Sequence, residues 1–363
     1  MSDRYAEYRG VAAALGVDAV ALVPGPNFVR LFNASFHSHE RPLVIIVPAS
    51  GAPAAVVPNL ELRSFELLSF EGEVFDWRDQ DGYDAAFAAL AGHLPVRSVA
   101  VEGQVMRVFV HHALRAAYPG LQVVDGETEI SALRLVKSAQ EVAALEHAIS
   151  ISEAALADVL DSVKPGQTEK DIERRLTQAL FSHGAEDLAF GPIVAAGENS
   201  ARPHAHARDV AVAPGDGLLF DFGARAGGFN ADITRTFFVG HVRDEDAEIY
   251  NTVLAANERG HAVAREGVSA HEVDDAVTGV LEASPFADLI RHKTGHGLGR
   301  EVHEAPYIMR GNHQPLPAGA VFTNEPGLYR IGSLGVRIED DILVTETGCR
   351  SLTGFPRELR VLG

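Results

Sequence analysis

Up to about Glu129 the chain alternates short apolar runs with stretches of helical spacing. Ala19 to Val23, Leu43 to Val47, Ala54 to Val57, Ser98 to Val101 and Leu121 to Val124 are rich in β-branched residues and predict strands. Tyr5 to Leu15, Tyr83 to Leu94 and Val105 to Tyr118 predict helices, so residues 1–132 read as an α/β domain. The pattern changes near Leu133. Ser138-Ala-Gln-Glu141 has the spacing of a capping box, and Val142, Leu145, Ile149, Leu156 and Leu160 continue at helical intervals until Lys164-Pro-Gly166. Thr168-Glu-Lys-Asp171 starts a second helix that runs to about His183. Beyond Gly184 the sequence is β-rich and punctuated by glycine, with helices expected at about Glu245 to Glu266 and Ala270 to Leu281. Grouped strands and helices of this kind predict an α+β second domain over residues 133–363.

Composition narrows the function. With 46% hydrophobic and 22% charged residues in 363, the chain can bury a sizeable core, which excludes a disordered or fibrous protein. The net charge is −19, and both parts are acidic, so no basic footprint for nucleic acid or anionic lipid is expected. The longest uncharged apolar region, Leu43 to Pro58, is broken by Pro48, Gly51 and Pro53 and reads as two strands and a turn, not a membrane span. A charged amino terminus without an apolar stretch and a single cysteine, Cys349, lead us to expect a cytoplasmic protein.

The candidate chemistry lies in four blocks of the second domain, each embedded in apolar or glycine-rich sequence where an unneutralised charge would be costly. Gly217-Leu-Leu-Phe-Asp221-Phe-Gly223 ends an apolar run on an acid. Asp232 follows in Phe229-Asn-Ala-Asp-Ile-Thr-Arg-Thr-Phe237, and a turn at Arg225 to Gly228 would pair the two runs as a hairpin with the carboxylates close together. Lys293-Thr-Gly-His296-Gly-Leu-Gly299 holds an imidazole between glycines, with His303 shortly after it. The fourth block contains Asn324-Glu325-Pro-Gly327 and Val336-Arg-Ile-Glu339-Asp-Asp-Ile342. Each alone has a bland reading as a turn or a solvated corner. Together, Asp221, Asp232, His296, Glu325 and Glu339 supply four carboxylates and one imidazole, a donor set for two divalent cations. Oxygen-rich coordination suits Mn²⁺, with Co²⁺, Fe²⁺ or Zn²⁺ as alternatives, and a two-metal hydrolase follows.

From about Leu133 to the end, these motifs resemble the pita-bread metallopeptidases, a family that includes methionine aminopeptidase, aminopeptidase P and Xaa-Pro dipeptidase (prolidase). Leu133-Arg-Leu-Val-Lys-Ser138 looks like the start of the catalytic domain in the proline-specific branch, and the preceding residues look like its creatinase-type amino-terminal domain. The resemblance implies a pita-bread catalytic domain in which Asp221 binds one ion, Asp232 and Glu339 bridge both, and His296 and Glu325 hold the second. A bridging water, acidified towards neutral pH, would attack the scissile carbonyl, with Glu325 shuttling its proton. His303 and His204, in Arg202-Pro-His-Ala-His206, would bind substrate and steady the tetrahedral intermediate, although His206 could hold the role of His204. Thr234 and Arg337 would orient ligand carboxylates, and Arg235 reads as structural.

The resemblance implies cleavage of the Xaa-Pro bond, and the compact length favours dipeptides over the longer peptides of aminopeptidase P, the alternative. A dipeptidase needs a cation for the free carboxylate of proline. Several prolidases carry an arginine after the His-Glu-X-Pro motif, where this chain has Tyr307, so Arg300, Arg310 and Arg330 become candidates. Related enzymes are dimers in which a loop such as Asn33 to Arg41 closes the partner's site, which implies a homodimer and adds His37, His39 and Arg41 beside the plainer reading of a solvated loop. A peptide-binding homologue without activity, or a metal-free hydrolase of the creatine amidinohydrolase type, would not need all five ligands.

Overall fold

The computed structural model describes residues 3–36 and 39–363; His37 lies outside them. The chain divides into two compact units, Met1–Arg134 and Leu135–Gly363.

The first unit is built on six strands: β1 (Ala19–Leu22), β2 (Val44–Pro48), β3 (Ala54–Pro58), β4 (Glu73–Trp77), β5 (Ser98–Val101) and β6 (Gln122–Asp125). They lie in the order β4-β3-β2-β1-β5-β6, with β1, β5 and β6 parallel and β2 antiparallel to both of its neighbours. Successive residues of β1 feed separate cores, Ala19 and Ala21 on one face and Val20 and Leu22 on the other. Cover on both faces explains why the central strands read as unbroken apolar runs. β4 was not expected from the sequence. It is an edge strand with exposed Glu73 and Asp76, and such charges suit an unpaired edge while erasing the apolar signal.

The second unit, which is α+β, places two helix pairs around its sheets. Ala139–Leu160 and Glu169–Ser182 open with capping boxes at Ser138/Glu141 and Thr168/Asp171, and Ala270–Glu282 opens with one at Ser269/Glu272. The fourth helix is Asp244–Val263. A four-stranded sheet runs in the order Val361–Leu362, Ile233–Val239, Gly217–Phe222, Ile193–Ala196. A five-stranded one runs Glu304–Ile308, Gly295–Gly297, Val321–Asn324, Asp340–Val344, Cys349–Ser351. Phe237 points into the core of the first helix pair and Phe238 into that of the second. Val321 and Phe322 divide in the same way, so both sheets are apolar on both faces. The buried acidic side chains of these sheets lie at or near strand ends. Among the described residues no helix is long and apolar enough to cross a membrane.

Candidate metal centre

The expected hairpin forms, with Asp221 opposite Thr234 and Phe222 opposite Ile233. Its tip is a smaller hairpin, Ala224–Ala226 against Phe229–Asn230, turning at Gly227 and Gly228. Asp232 immediately precedes Ile233. On the other sheet, His296 sits mid-strand, Glu325 follows Asn324 and Glu339 precedes Asp340. Gly295 lets that strand approach its neighbour: a Cβ there would lie 1.7 Å from the Thr323 carbonyl oxygen. All five residues therefore lie at or near strand ends or, for His296, in a close strand contact.

Their donor atoms converge. Asp221, Asp232 and Glu339 each offer an oxygen, and all three atoms lie within 4.8 Å of one another; His296, Glu325 and Glu339 do the same. His296 Nε2 is 3.3 Å from Glu325 Oε1 and 3.7 Å from Asp232 Oδ2. Its Nδ1 faces the Gly297 carbonyl at 3.1 Å, which places the proton on Nδ1 and leaves Nε2 as a lone-pair donor. Thr234 Oγ1 donates to Glu339 Oε2 (2.5 Å) and accepts from Arg337 Nε (3.0 Å), while Arg337 Nη2 donates to Asp221. Thr234 and Arg337 thus aim two carboxylates. Arg235 is buried against the Glu339 carbonyl and the Asp340 carboxylate.

The electrostatics call for cations. Burial raises the pKa of Asp221, against the pull of Arg337. Burial, then the neighbouring Glu339 and Asp221, holds Asp232 well above the usual carboxylate range. Glu339 is likewise pushed well up by burial and by Glu325, and Glu325 rises to about 7, chiefly from burial. Burial pushes His296 down to about 3. Carboxylates held this close keep protons unless cations replace them. One buried oxygen, Asp232 Oδ1, has no hydrogen-bond partner, as an atom reserved for an ion would not. The donor set therefore fits a pair of divalent ions.

These residues form one wall of a cavity of about 1040 Å³ that also meets His204, His292, Lys293, Arg300 and His303. The His303 ring lies edge-on to His296, with centroids 3.9 Å apart. The neighbouring imidazole His206 is not in the cavity wall; its carbonyl accepts from Asn199 Nδ2 at 3.0 Å. Nor does the structure bring Arg310 or Arg330 there. Arg310 forks onto Glu282 and also meets Asp275, and Arg330 pairs with Glu245 and Asp246, so acidic residues on the nearby helices hold both. In the first unit, Arg41 makes two bonds to Asp79, and the His39 carbonyl accepts from Arg107.

Two polar groups beside the centre escaped the sequence reading. His292 lies between Glu325, 4.0 Å from its Nδ1, and the buried Tyr329 hydroxyl, 2.8 Å from its Nε2. Asp341 accepts from the Asp232 amide at 3.1 Å. His292 stands four positions before His296, a usable signal, but Arg291 and Lys293 beside it give it the look of surface sequence.

Residues 143–346 match the profile of Metallopeptidase family M24. The chain belongs to metallopeptidase family M24. Residues 4–136 match the Creatinase/Prolidase N-terminal domain, so this M24 chain carries the amino-terminal domain and the pita-bread domain in that order. It is 32% identical to the Xaa-Pro dipeptidase of Pyrococcus horikoshii, over 94% of each chain. The crystal structure of a prolidase from Thermococcus sibiricus superposes with a TM-score of 0.93 at 32% identity, covering 99% of this chain and 98% of that one. An X-Pro aminopeptidase from Thermotoga maritima gives 0.82 at 30% identity, covering 97% and 98%. The protein is a peptidase, and its family implies divalent metal ions.

Proposed function

We propose that the protein hydrolyses the Xaa-Pro bond of dipeptides, with Asp221, Asp232, His296, Glu325 and Glu339 holding two Mn²⁺ ions. The carrying observation is that the same cavity is also lined by Arg202, Arg225, Arg291, Lys293 and Arg300, in a protein whose net charge is −19. Cations collected against the overall charge suit a substrate whose far end is a free carboxylate, as in a dipeptide. The Lys293 ammonium lies over the Tyr307 ring, 5.9 Å from its centroid, on the residue that replaces the arginine of several prolidases. Arg300 is the one of the three arginine candidates that reaches this wall.

When bound, the ions supply Lewis acidity to the attacking water and to the scissile carbonyl. The chain's own residues do the rest. Glu325, the least buried of the four carboxylates, takes the proton from the water and delivers it to the proline nitrogen, which as a tertiary amide has no hydrogen of its own. His303 and His204 donate to the substrate's carbonyl oxygens, and such donors act most strongly where charge develops. Arg337 and Thr234 keep Asp221 and Glu339 in place. We further propose a homodimer working in the reducing cytoplasm, in keeping with the single cysteine.

The test is cleavage of Ala-Pro, Ala-Pro-amide and Ala-Pro-Gly by Mn²⁺-loaded protein. The dipeptidase reading expects Ala-Pro to lead in kcat/KM by at least about tenfold, the scale of one lost charge-assisted contact. Equal or faster cleavage of the tripeptide would assign the aminopeptidase P activity instead. Bound metal with no cleavage of any of the three would leave a peptide-binding homologue.

A further inference from the structure

Of the four lysines, Lys137 alone is buried, and its ammonium meets the buried Glu304 carboxylate at 2.8 Å. Replacing a buried ion pair with apolar side chains is often neutral or stabilising, so stability alone does not account for it. Its place in the loop does. Glu304 directly follows His303, and while Oε1 accepts from Lys137, Oε2 accepts from the Glu301 amide at 3.4 Å. At the other end of the same loop, the Gly299 amide donates to the Glu301 carbonyl at 2.9 Å. The Gly299 carbonyl accepts from both nitrogens of Asn230, beside the hairpin that carries Asp232. The pair also dictates Gly299: a Cβ there would lie 2.8 Å from Glu304 Oε1 and 3.1 Å from Lys137 Cε. His303 itself is exposed, at the end of a short loop tied at both ends.

We infer that Lys137 and Glu304 are a positioning pair: the buried ammonium holds the Glu304 carboxylate, which closes the 299–304 loop and keeps the His303 ring against His296. Lys137 does not line the cavity and acts through His303. The inference rests on the proposed peptidase reading only for its kinetic consequence.

Lys137→Met, Glu304→Gln and the double substitution are compared with wild type, each with His303 intact and in the His303→Ala background, all loaded with Mn²⁺. The expected result is a fall in kcat on Ala-Pro of at least about tenfold, within the range for a slightly misplaced group, with bound metal per chain unchanged. In His303→Ala the same substitutions change kcat by less than about twofold, because the group they position is already gone. An unchanged kcat in a folded, loaded variant, or an equal fold-loss in both backgrounds, overturns the inference. Should Lys137→Met not fold, the double substitution removes both charges at similar volume, and Glu304→Gln preserves shape. Crystal structures of wild type and Glu304→Gln supply a readout independent of turnover: the 3.9 Å ring separation is expected to widen or the His303 ring to disorder, and its retention counts against the inference. If wild type cleaves no Xaa-Pro peptide, the proposed function falls while the ring separation still decides the positioning role.

Discussion

Stripping the divalent ions should invert the usual pH dependence of stability. Glu325 sits at about 7 in the folded protein against an ordinary value of 4.5, and Asp232 and Glu339 lie well above theirs. Across that interval the folded chain binds more protons than the unfolded chain, so folding stability falls as pH rises. His292 and His296, pushed down by burial to about 4 and about 3, work in the opposite direction. Half protonated in the unfolded chain at 6.5, their ordinary value, they offset only about 0.4 kcal/mol each above it before becoming neutral in both states. Between pH 6.5 and 8.5 the carboxylates therefore dominate. Glu325 contributes a loss of about 1 kcal/mol, and Asp232 and Glu339, held well above their ordinary values, add to it in the same direction. The assay is urea unfolding at the two pH values, with EDTA or with excess Mn²⁺, followed by far-UV circular dichroism. Tryptophan emission reports on the other unit, to which Trp77, the only tryptophan, belongs. The chelated protein should lose stability from the lower to the higher pH, while the loaded protein, its carboxylates already ionised against the metals, holds or gains stability. A chelated midpoint that stays level or rises from pH 6.5 to 8.5 would refute the reasoning.

Three further outcomes can be checked by mutation. Asp232→Asn removes charge from the carboxylate expected to bridge both ions, so bound metal, measured by plasma emission, and peptidase activity should fall together. His204→Ala should leave both metals bound and lower kcat by about two orders of magnitude, the scale of one lost oxyanion donor; His206→Ala, outside the cavity wall, should stay within about twofold of wild type. Arg310→Ala should leave KM for Ala-Pro unchanged and lower only the melting temperature, by a few degrees at most, because the residue is held in partly exposed ion pairs.

Much of the architecture could be read from the chain because its signals are local. Ser138/Glu141 and Thr168/Asp171 announced two helices at their true starts, and Asp221 and Asp232 lay close enough in sequence for a hairpin to join them. Strand β4 was invisible because its charges belong to an edge. The limits of the site reading are those of long-range pairing. Nothing in the sequence around Arg310 says that Glu282 and Asp275 will occupy it, and Lys137 and Glu304 stand 167 positions apart. Choosing His204 over His206 relied on a resemblance, and the geometry that separates them, one in the cavity wall and one outside it, depends on how the chain turns around Asn199.

The five proposed ligands leave two different sheets, two from the hairpin and three from the strands around His296 and Glu339. Ions seated among them would add rivets to the hydrogen bonds that already join the two sheets, such as that from the Glu339 amide to the Thr234 carbonyl at 3.1 Å. Weakening the grip on metal should then shorten the protein's lifetime as well as slow its chemistry, and a cell starved of the right ion would be left with less of the enzyme, not merely an idle stock of it.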